Sequence, residues 1–225
     1  MDIHLISILA GKQTAESVQQ TLKQPDFVDL IHRFLYAQCH PESNIKHISL
    51  DGLPAFHEKV TLYPSAVATF YAPSDISGTG GMHCEYICTT LDWGKKHECR
   101  YDCIFVNSDP SASGMHGLKV AHVRQFFSFK LVGVTYPCAL VQWYSRVADE
   151  PDEDTGMWIV EPDFYPDGSQ VMEVIHLDSV VRAAHLLGVC DDFVPADISH
   201  CDSLDTFASF FVNKFADHHA FAIAF

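Results

Sequence analysis

Two long stretches rich in β-branched and aromatic residues, 119–132 and 134–147, constrain the fold of this chain most strongly. A single residue, Gly133, separates them, and glycine between two such runs is a typical hairpin-turn signal. The second stretch continues through an acidic turn into another β-like segment, residues 156–160. The sequence therefore predicts long antiparallel strands at the centre of the fold.

Shorter β-like segments surround this pair. Pro64 lies between two of them and predicts a bend or a sheet edge, because proline cannot donate a ladder hydrogen bond. Residues 178–187 fit either a short helix capped by Asp178 or a strand with a break. The other predicted strands cover residues 59–63, 66–71, 83–91, 100–106 and 171–175.

Helices are predicted near both ends of the chain. Residues 14–22 form a first helix, and Asp26 caps a second that ends at His40, where Pro41 follows. Ser203 is predicted to cap a closing helix that continues to Phe215. The apolar positions at helical spacing are Phe27, Leu30, Ile31, Phe34 and Leu35 in the second helix and Leu204, Phe207, Phe211 and Phe215 in the closing one.

These segments together predict an α+β fold, with N-terminal helices, a central antiparallel β-rich body and a C-terminal helix. Residues 1–50 are assigned to a helical arm, residues 40–58 to a linker region and residues 51–225 to the β-rich domain. The chain has 225 residues, which is enough to bury a substantial core.

The net charge limits the partners that the chain can bind. Its 29 acidic residues outnumber 14 basic ones, which gives a formal charge of −15. Direct nucleic-acid binding is disfavoured, because it depends on Lys and Arg neutralising phosphates. No apolar run reaches the roughly 20 residues that span a bilayer, and Asp2 stands where a signal peptide carries positive charge. Eight irregularly spaced cysteines favour reduced thiols and an intracellular location, nuclear or cytoplasmic.

Four cysteines offer a candidate zinc site. Cys84 and Cys88 form one pair, Cys99 and Cys103 form a second, and His83 and His97 lie beside them in the sequence. Thiolates and imidazoles suit tetrahedral zinc. However, residues four apart on an extended strand lie roughly 13 Å apart, which is too far for one ion unless a bulge intervenes. The sequence favours buried free thiols over a zinc site.

Two further patterns are consistent with metal binding. His176 and Asp178, with His218 or His219, match in outline the His-x-Asp…His triad of non-haem iron enzymes. Residues 149–156 carry several carboxylates, which are ligands for Ca²⁺ or Mg²⁺. The sequence favours ordinary histidines in the first case and, in the second, a solvated hairpin loop with Gly156 at positive φ.

Three aromatic residues, Trp143, Tyr144 and Trp158, could form an exposed patch that binds a peptide or a methylated lysine. Burial of these rings on strands is the competing interpretation, and the sequence favours it.

The chain resembles uncharacterised fungal proteins that are similar to the carboxy-terminal region of polypeptides encoded by Plavaka-like and Kyakuja–Dileera–Zisupton-like DNA transposons. The motif Val-Thr-Leu-Tyr-Pro-Ser-Ala-Val-Ala-Thr-Phe-Tyr-Ala-Pro-Ser-Asp, within residues 56–75, carries this resemblance. The spaced acidic residues of a transposase nuclease are not recognisable in the chain. The other similar stretches are residues 100–106, 136–143, 152–162, 174–185 and 213–225.

The resemblance implies a noncatalytic accessory or protein-interaction domain of transposon descent, with protein partners and no assigned catalytic, cofactor or metal residue. The alternative is a metal-dependent enzyme or DNA-processing domain that uses zinc or non-haem iron. The hairpin at residues 121–147, followed by residues 171–189, also resembles the strand order of small chromatin-reading β-barrels. A small barrel is therefore one form that the β-rich body could take.

Overall fold

The central hairpin forms as predicted and organises the larger of two sheets. A computed structural model describes residues 2–6, 11–40, 56–73, 78–93, 98–190, 198–199 and 202–224. Strands β8 (Leu118–Leu131) and β9 (Val134–Arg146) pair antiparallel along their length. Gly133 adopts a φ of +83° in the turn between them, a conformation that suits glycine. The prediction of a long central hairpin is confirmed.

The remaining elements lie on either side of this hairpin. Residues 41–55, most of the predicted linker, are outside the described residues. The helices are α1 (Ala15–Leu22), α2 (Phe27–Cys39), α3 (Ser203–Thr206) and α4 (His218–Ile223). The other strands are β1 (Asp2–Ile6), β2 (Lys12–Thr14), β3 (Lys59–Tyr63), β4 (Ser65–Tyr71), β5 (Met82–Trp93), β6 (Glu98–Tyr101), β7 (Cys103–Asn107), β10 (Trp158–Pro162), β11 (Met172–His176), β12 (Val180–Ala184), β13 (Leu186–Gly188) and β14 (Phe210–Val212).

The strands form a small sheet and a large sheet. The small sheet has the order β1-β4-β5-β6, and the main path of the large sheet is β12-β7-β8-β9-β10-β14-β13. The chain passes between the sheets at Pro64, which separates β3 from β4, and at Asp102, which separates β6 from β7. Pro64 thus marks the predicted bend. At the second corner, Asp102 accepts hydrogen bonds from the Cys88 backbone (2.8 Å) and from Arg100 Nε (2.9 Å).

Alternating residues of the central hairpin contribute to cores on opposite faces of the large sheet. On one face, Ala121, Val123 and Val141 pack with Ala66, Ala68 and Ile87 of the small sheet. On the other face, Phe127, Phe129 and Leu140 pack with α1 and α2, through Phe27 and Phe34 among others. A third cluster on that second face contains Val120, Tyr144, Trp158 and Phe210. The small sheet therefore has one face against the core.

The broad α+β expectation is confirmed, since helices flank a fold made mostly of strands. The small barrel is wrong, because the described strands form open sheets with free ends and no closed ring. Of the two forms left open for residues 178–187, the strand with a break is observed, and His185 interrupts it between β12 and β13. In the described part of the chain, no helix is both long and apolar enough to cross a membrane.

The predicted closing helix is wrong. After the single turn of α3, the chain extends into β14, which pairs with β10 on one side and β13 on the other. Phe210 and Val212 alternate into the core, so the segment follows the period of a strand and not of a helix. A short helix, α4, forms further on, where the side chain of Asp217 caps the Ala220 amide.

Candidate functional site

The four cysteines do not form a metal site. Cys84 is exposed on β5, whereas Cys88 and Cys103 are buried, and burial raises the pKa of both buried thiols. Cys99 is disulfide-bonded, so the expectation of reduced thiols is wrong for this residue. His97 lies outside the described residues. Within the described ranges, no three His, Cys, Asp or Glu side chains are grouped to hold a metal ion.

The proposed iron triad also fails to assemble. Asp178 is highly exposed, and its carboxylate lies 3.4 Å from His176 Nδ1 in a local contact after β11. His219 lies at α4 instead, where its ring stacks on Phe70 with the centroids 4.5 Å apart. Among the described residues, no three metal-binding side chains lie close enough to hold an ion, and this holds for the candidate ligands His176, Asp178, His218 and His219.

The acidic loop has the predicted form. It joins β9 to β10, and Gly156 has a φ of +64°. Asp152 accepts hydrogen bonds from the Thr155 amide (2.9 Å) and hydroxyl (2.7 Å), and these lower the pKa of the Asp152 carboxyl. The carboxylate thus stabilises the turn itself. A cavity of about 270 Å³ beside the loop is bordered by Glu150, Asp152 and Glu153.

The three aromatic residues of the suggested patch face opposite sides of the large sheet. Tyr144 and Trp158 are buried together in one core cluster, whereas Trp143 packs against the cluster on the other face. Trp143 also has polar partners within the fold. Lys119 Nζ lies 5.2 Å from the Trp143 ring centroid, and Trp143 Nε1 donates a hydrogen bond to Glu173. The patch interpretation is therefore wrong, and burial is confirmed for Tyr144 and Trp158.

A buried arginine joins three parts of the fold that the sequence does not connect. Arg182 of β12 donates two hydrogen bonds to Asp217 at the start of α4, at 2.8 and 2.7 Å. It also donates to Glu85 of β5 at 2.8 Å, and the second Glu85 oxygen accepts from the Ala183 amide at 2.6 Å. The guanidinium carbon lies 4.5 Å from the ring centroid of Phe70. We call Arg182, Glu85 and Asp217 the arginine joint.

The arginine joint places one cation between two carboxylates. Hydrogen bonds from Arg182 lower the pKa of Asp217 to about 2. Burial raises the pKa of Glu85, although Arg182 opposes this effect. Burial and the nearby guanidinium lower the pKa of His219, whose Nδ1 lies 3.3 Å from Arg182. Arg182 therefore favours the ionised form of both carboxylates and the neutral form of His219, which is the behaviour of a structural ion cluster.

Sequence reasoning missed the arginine joint because its members are 97 and 35 residues apart. A β-bulge between Val180 and Arg182 shifts the register of β12 against β7. Bulges change the direction of a side chain, and no residue pattern in this segment marks one. The one signal in the sequence was Arg182 itself, because an arginine in an otherwise apolar strand needs a partner if it is buried.

The outer face of the small sheet exposes large side chains. Tyr71 and Tyr86 are each 61% exposed, and Met82 is 45% exposed. Strand register places Tyr71 opposite Met82, Thr69 opposite Cys84 and Val67 opposite Tyr86, so these residues share one continuous surface. We call these six residues, with Asp2 and His4 of β1 beside them, the tyrosine face. Exposed clusters of this kind on a folded domain often mark interaction sites.

The tyrosine face lacks positive charge of its own. Strands β1, β4 and β5 contain no Lys or Arg. Asp2 is the carboxylate of the face, whereas Glu85 of β5 lies in the opposite phase and bonds to Arg182. Elsewhere in the fold, each tryptophan has a cation over its ring: Arg100 on Trp93, Lys119 on Trp143 and Arg146 on Trp158. Tyr71 and Tyr86 therefore present aromatic rings on strands without Lys or Arg, with Asp2 as the carboxylate of the face, and this suits a cation supplied from outside.

The tyrosine face could have been inferred in part from the sequence. In residues 66–71, the side chains on both faces of the strand are largely apolar. A strand with one solvated face normally places polar residues on that face. Which of the two sets of alternating residues faces solvent, however, is decided by the inward packing of Ala66, Ala68 and Phe70. That packing requires knowledge of the second sheet.

Comparison of the chain with protein-family models, with curated proteins and with solved structures found no match. The resemblance to transposon-encoded proteins therefore stays a prediction.

Proposed function

We propose that this chain is a noncatalytic protein-interaction domain of fungal transposon descent that binds a cationic segment of a partner protein through the tyrosine face. The observation that carries the binding role is the exposure of Tyr71 and Tyr86 on one sheet surface whose strands contain no Lys or Arg. Tyrosine and methionine are enriched in protein interfaces, and tyrosine rings attract ammonium and guanidinium groups. The proposed descent is supported by the sequence resemblance alone.

The partner is proposed to be a protein segment and not a nucleic-acid backbone. A formal charge of −15 repels phosphates and attracts Lys- and Arg-rich chains over distances of about a Debye length. The tyrosine face has no Lys or Arg in its three strands that could neutralise a phosphate. Charge and surface chemistry therefore favour the same class of partner.

An arginine- and valine-containing synthetic peptide should bind the protein, and Tyr71→Ser with Tyr86→Ser should weaken that binding about tenfold, since two exposed cation–π contacts are lost. Fluorescence anisotropy of the labelled peptide measures this. Tyr165→Ser is the matched control, because Tyr165 is also exposed, at 51%, but lies in the β10–β11 turn. Equal weakening by both variants, or tighter binding of duplex DNA than of the peptide, would contradict the proposal.

Purified protein should contain neither zinc nor iron in stoichiometric amount, because the candidate ligands are dispersed among the described residues. Elemental analysis after removal of loosely bound ions checks this expectation. Stoichiometric metal that disappears in Cys84→Ser or in His176→Ala would support the metal-dependent alternative in place of the interaction domain.

A further inference from the structure

The small sheet ends in a strand that has an open edge. Strand β1 pairs with β4 through five consecutive residues, from Asp2–Thr69 to Ile6–Ser65, without a register shift. Among the described residues, its other edge has no strand partner. An open edge presents backbone N–H and C=O groups that can pair with another extended chain. The tyrosine face reaches this edge through Asp2 and His4.

Strand β1 lacks several of the safeguards that usually block an open edge, although the short turn Leu177–Ser179 packs near it. Natural edge strands are commonly protected by bulges, prolines, lysines, short length or a covering element. The sequence Asp-Ile-His-Leu-Ile contains neither proline nor lysine, and its register with β4 is continuous.

The other described edges each have such a safeguard. Strand β12 has a bulge, and β6 shifts register against β5. Strands β2 and β13 have three residues each, and β11 packs beside α2. This contrast favours β1, with its five residues and continuous register, as the edge for pairing.

We propose that the partner's cationic segment binds as an added strand along β1, extending the small sheet. This inference rests on the proposed function and specifies how one stretch of the segment is held. Contacts with Tyr86 and Cys84 on β5 would be made by residues of the segment outside the paired stretch. Backbone hydrogen bonds to β1 would supply affinity, and alternate side chains would supply specificity, as in other cases of strand addition.

The two faces of β1 predict which residue types alternate along the partner's segment. Ile3 and Leu5 pack against the core between the sheets, whereas Asp2 and His4 lie on the tyrosine face. Because side chains alternate along a strand, the segment should place apolar residues in line with Ile3 and Leu5 and basic residues beside Asp2. A second copy of this chain is disfavoured as the occupant, because two copies of formal charge −15 repel each other.

The test uses a peptide that alternates valine with arginine and is long enough to span the five residues of β1. Two derivatives carry N-methyl groups on alternate backbone nitrogens, one in each phase. An added strand turns only one edge toward β1, so one derivative should bind at least about tenfold more weakly than the parent and the other should bind about equally. A peptide with glutamate replacing arginine should not bind.

Each outcome discriminates between the two proposals. Equal binding by both methylated derivatives, combined with loss of binding in the Tyr71→Ser, Tyr86→Ser variant, would overturn strand addition but keep the interaction role. Failure of every cationic peptide to bind would overturn both. Self-association of the free protein through β1, detected by analytical ultracentrifugation and by cross-links at that strand, would replace the partner with a second copy and overturn this inference.

Discussion

Replacement of Arg182 by methionine should lower the free energy of unfolding by about 3 kcal/mol, because it leaves two partly buried carboxylates without their cation. The Arg182 side chain is only 6% exposed, and it bonds to Glu85 and Asp217 at once. Urea denaturation followed by tryptophan fluorescence measures the change. Lys130→Met is the matched control: it removes an exposed cation from the end of β8 and should change stability by less than about 0.5 kcal/mol.

A triple variant separates the loss of charge balance from the loss of packing. Glu85→Gln keeps an acceptor for the Ala183 amide, and Asp217→Asn keeps a side-chain cap for α4. Arg182→Met combined with both substitutions should therefore be more stable than Arg182→Met alone, since no unpaired charge remains. If the triple variant is less stable than the single one, the cost comes from packing and the electrostatic explanation of the arginine joint is wrong.

Acid should destabilise the protein through His122, and His122→Leu should remove much of this effect. His122 is 2% exposed, and neither ring nitrogen has a hydrogen-bond partner among the described residues. Burial, together with the charge of Arg124, lowers the pKa of His122 to about 3. The folded state therefore resists the proton that the unfolded state accepts near pH 6.5, so this contribution to stability is complete above that pH and declines as the pH falls toward 3.

The expected decline from His122 alone is about 2 kcal/mol between pH 7 and pH 5. In His122→Leu, the free energy of unfolding should decrease by about 2 kcal/mol less than in the parent between pH 7 and pH 5. At pH 7 the variant should be at least as stable as the parent, because it no longer buries unpartnered nitrogens. His57→Gln, at an exposed position, is the control and should retain the full pH dependence. An unchanged slope in His122→Leu would show that other groups cause the acid sensitivity.

The sequence was most informative where a local pattern decides the structure. The hairpin around Gly133 and the helix that begins at Phe27 follow from periodicity, from the turn residue and from the proline that follows the helix, and both form. The predicted cap is wrong in one respect, because the Asp26 side chain makes no capping hydrogen bond. The bend at Pro64 follows from the chemistry of proline in the same way. These features depend on neighbours in sequence, which a reader of the sequence can see.

The failures occurred where distant contacts override the local pattern. Leu204, Phe207, Phe211 and Phe215 have helical spacing, but pairing with β10 and β13 draws Phe211 into a strand. The tyrosine face and the arginine joint depend on how the two sheets pack, and the members of the joint come from three separate strands and helices. The metal candidates matched short patterns whose residues the fold keeps apart.

The most direct test of the proposed function measures whether a bound peptide covers the tyrosine face. Cys84 lies on that face, opposite Thr69, and is a free, exposed thiol. Cys39 and Cys190 are free and exposed elsewhere, which makes them internal controls. Alkylation of the three thiols by iodoacetamide can be followed by mass spectrometry with and without the saturating valine–arginine peptide. We predict that the peptide slows alkylation of Cys84 by about tenfold or more and leaves the two control rates unchanged. Equal rates at Cys84 with and without bound peptide would contradict binding at the tyrosine face.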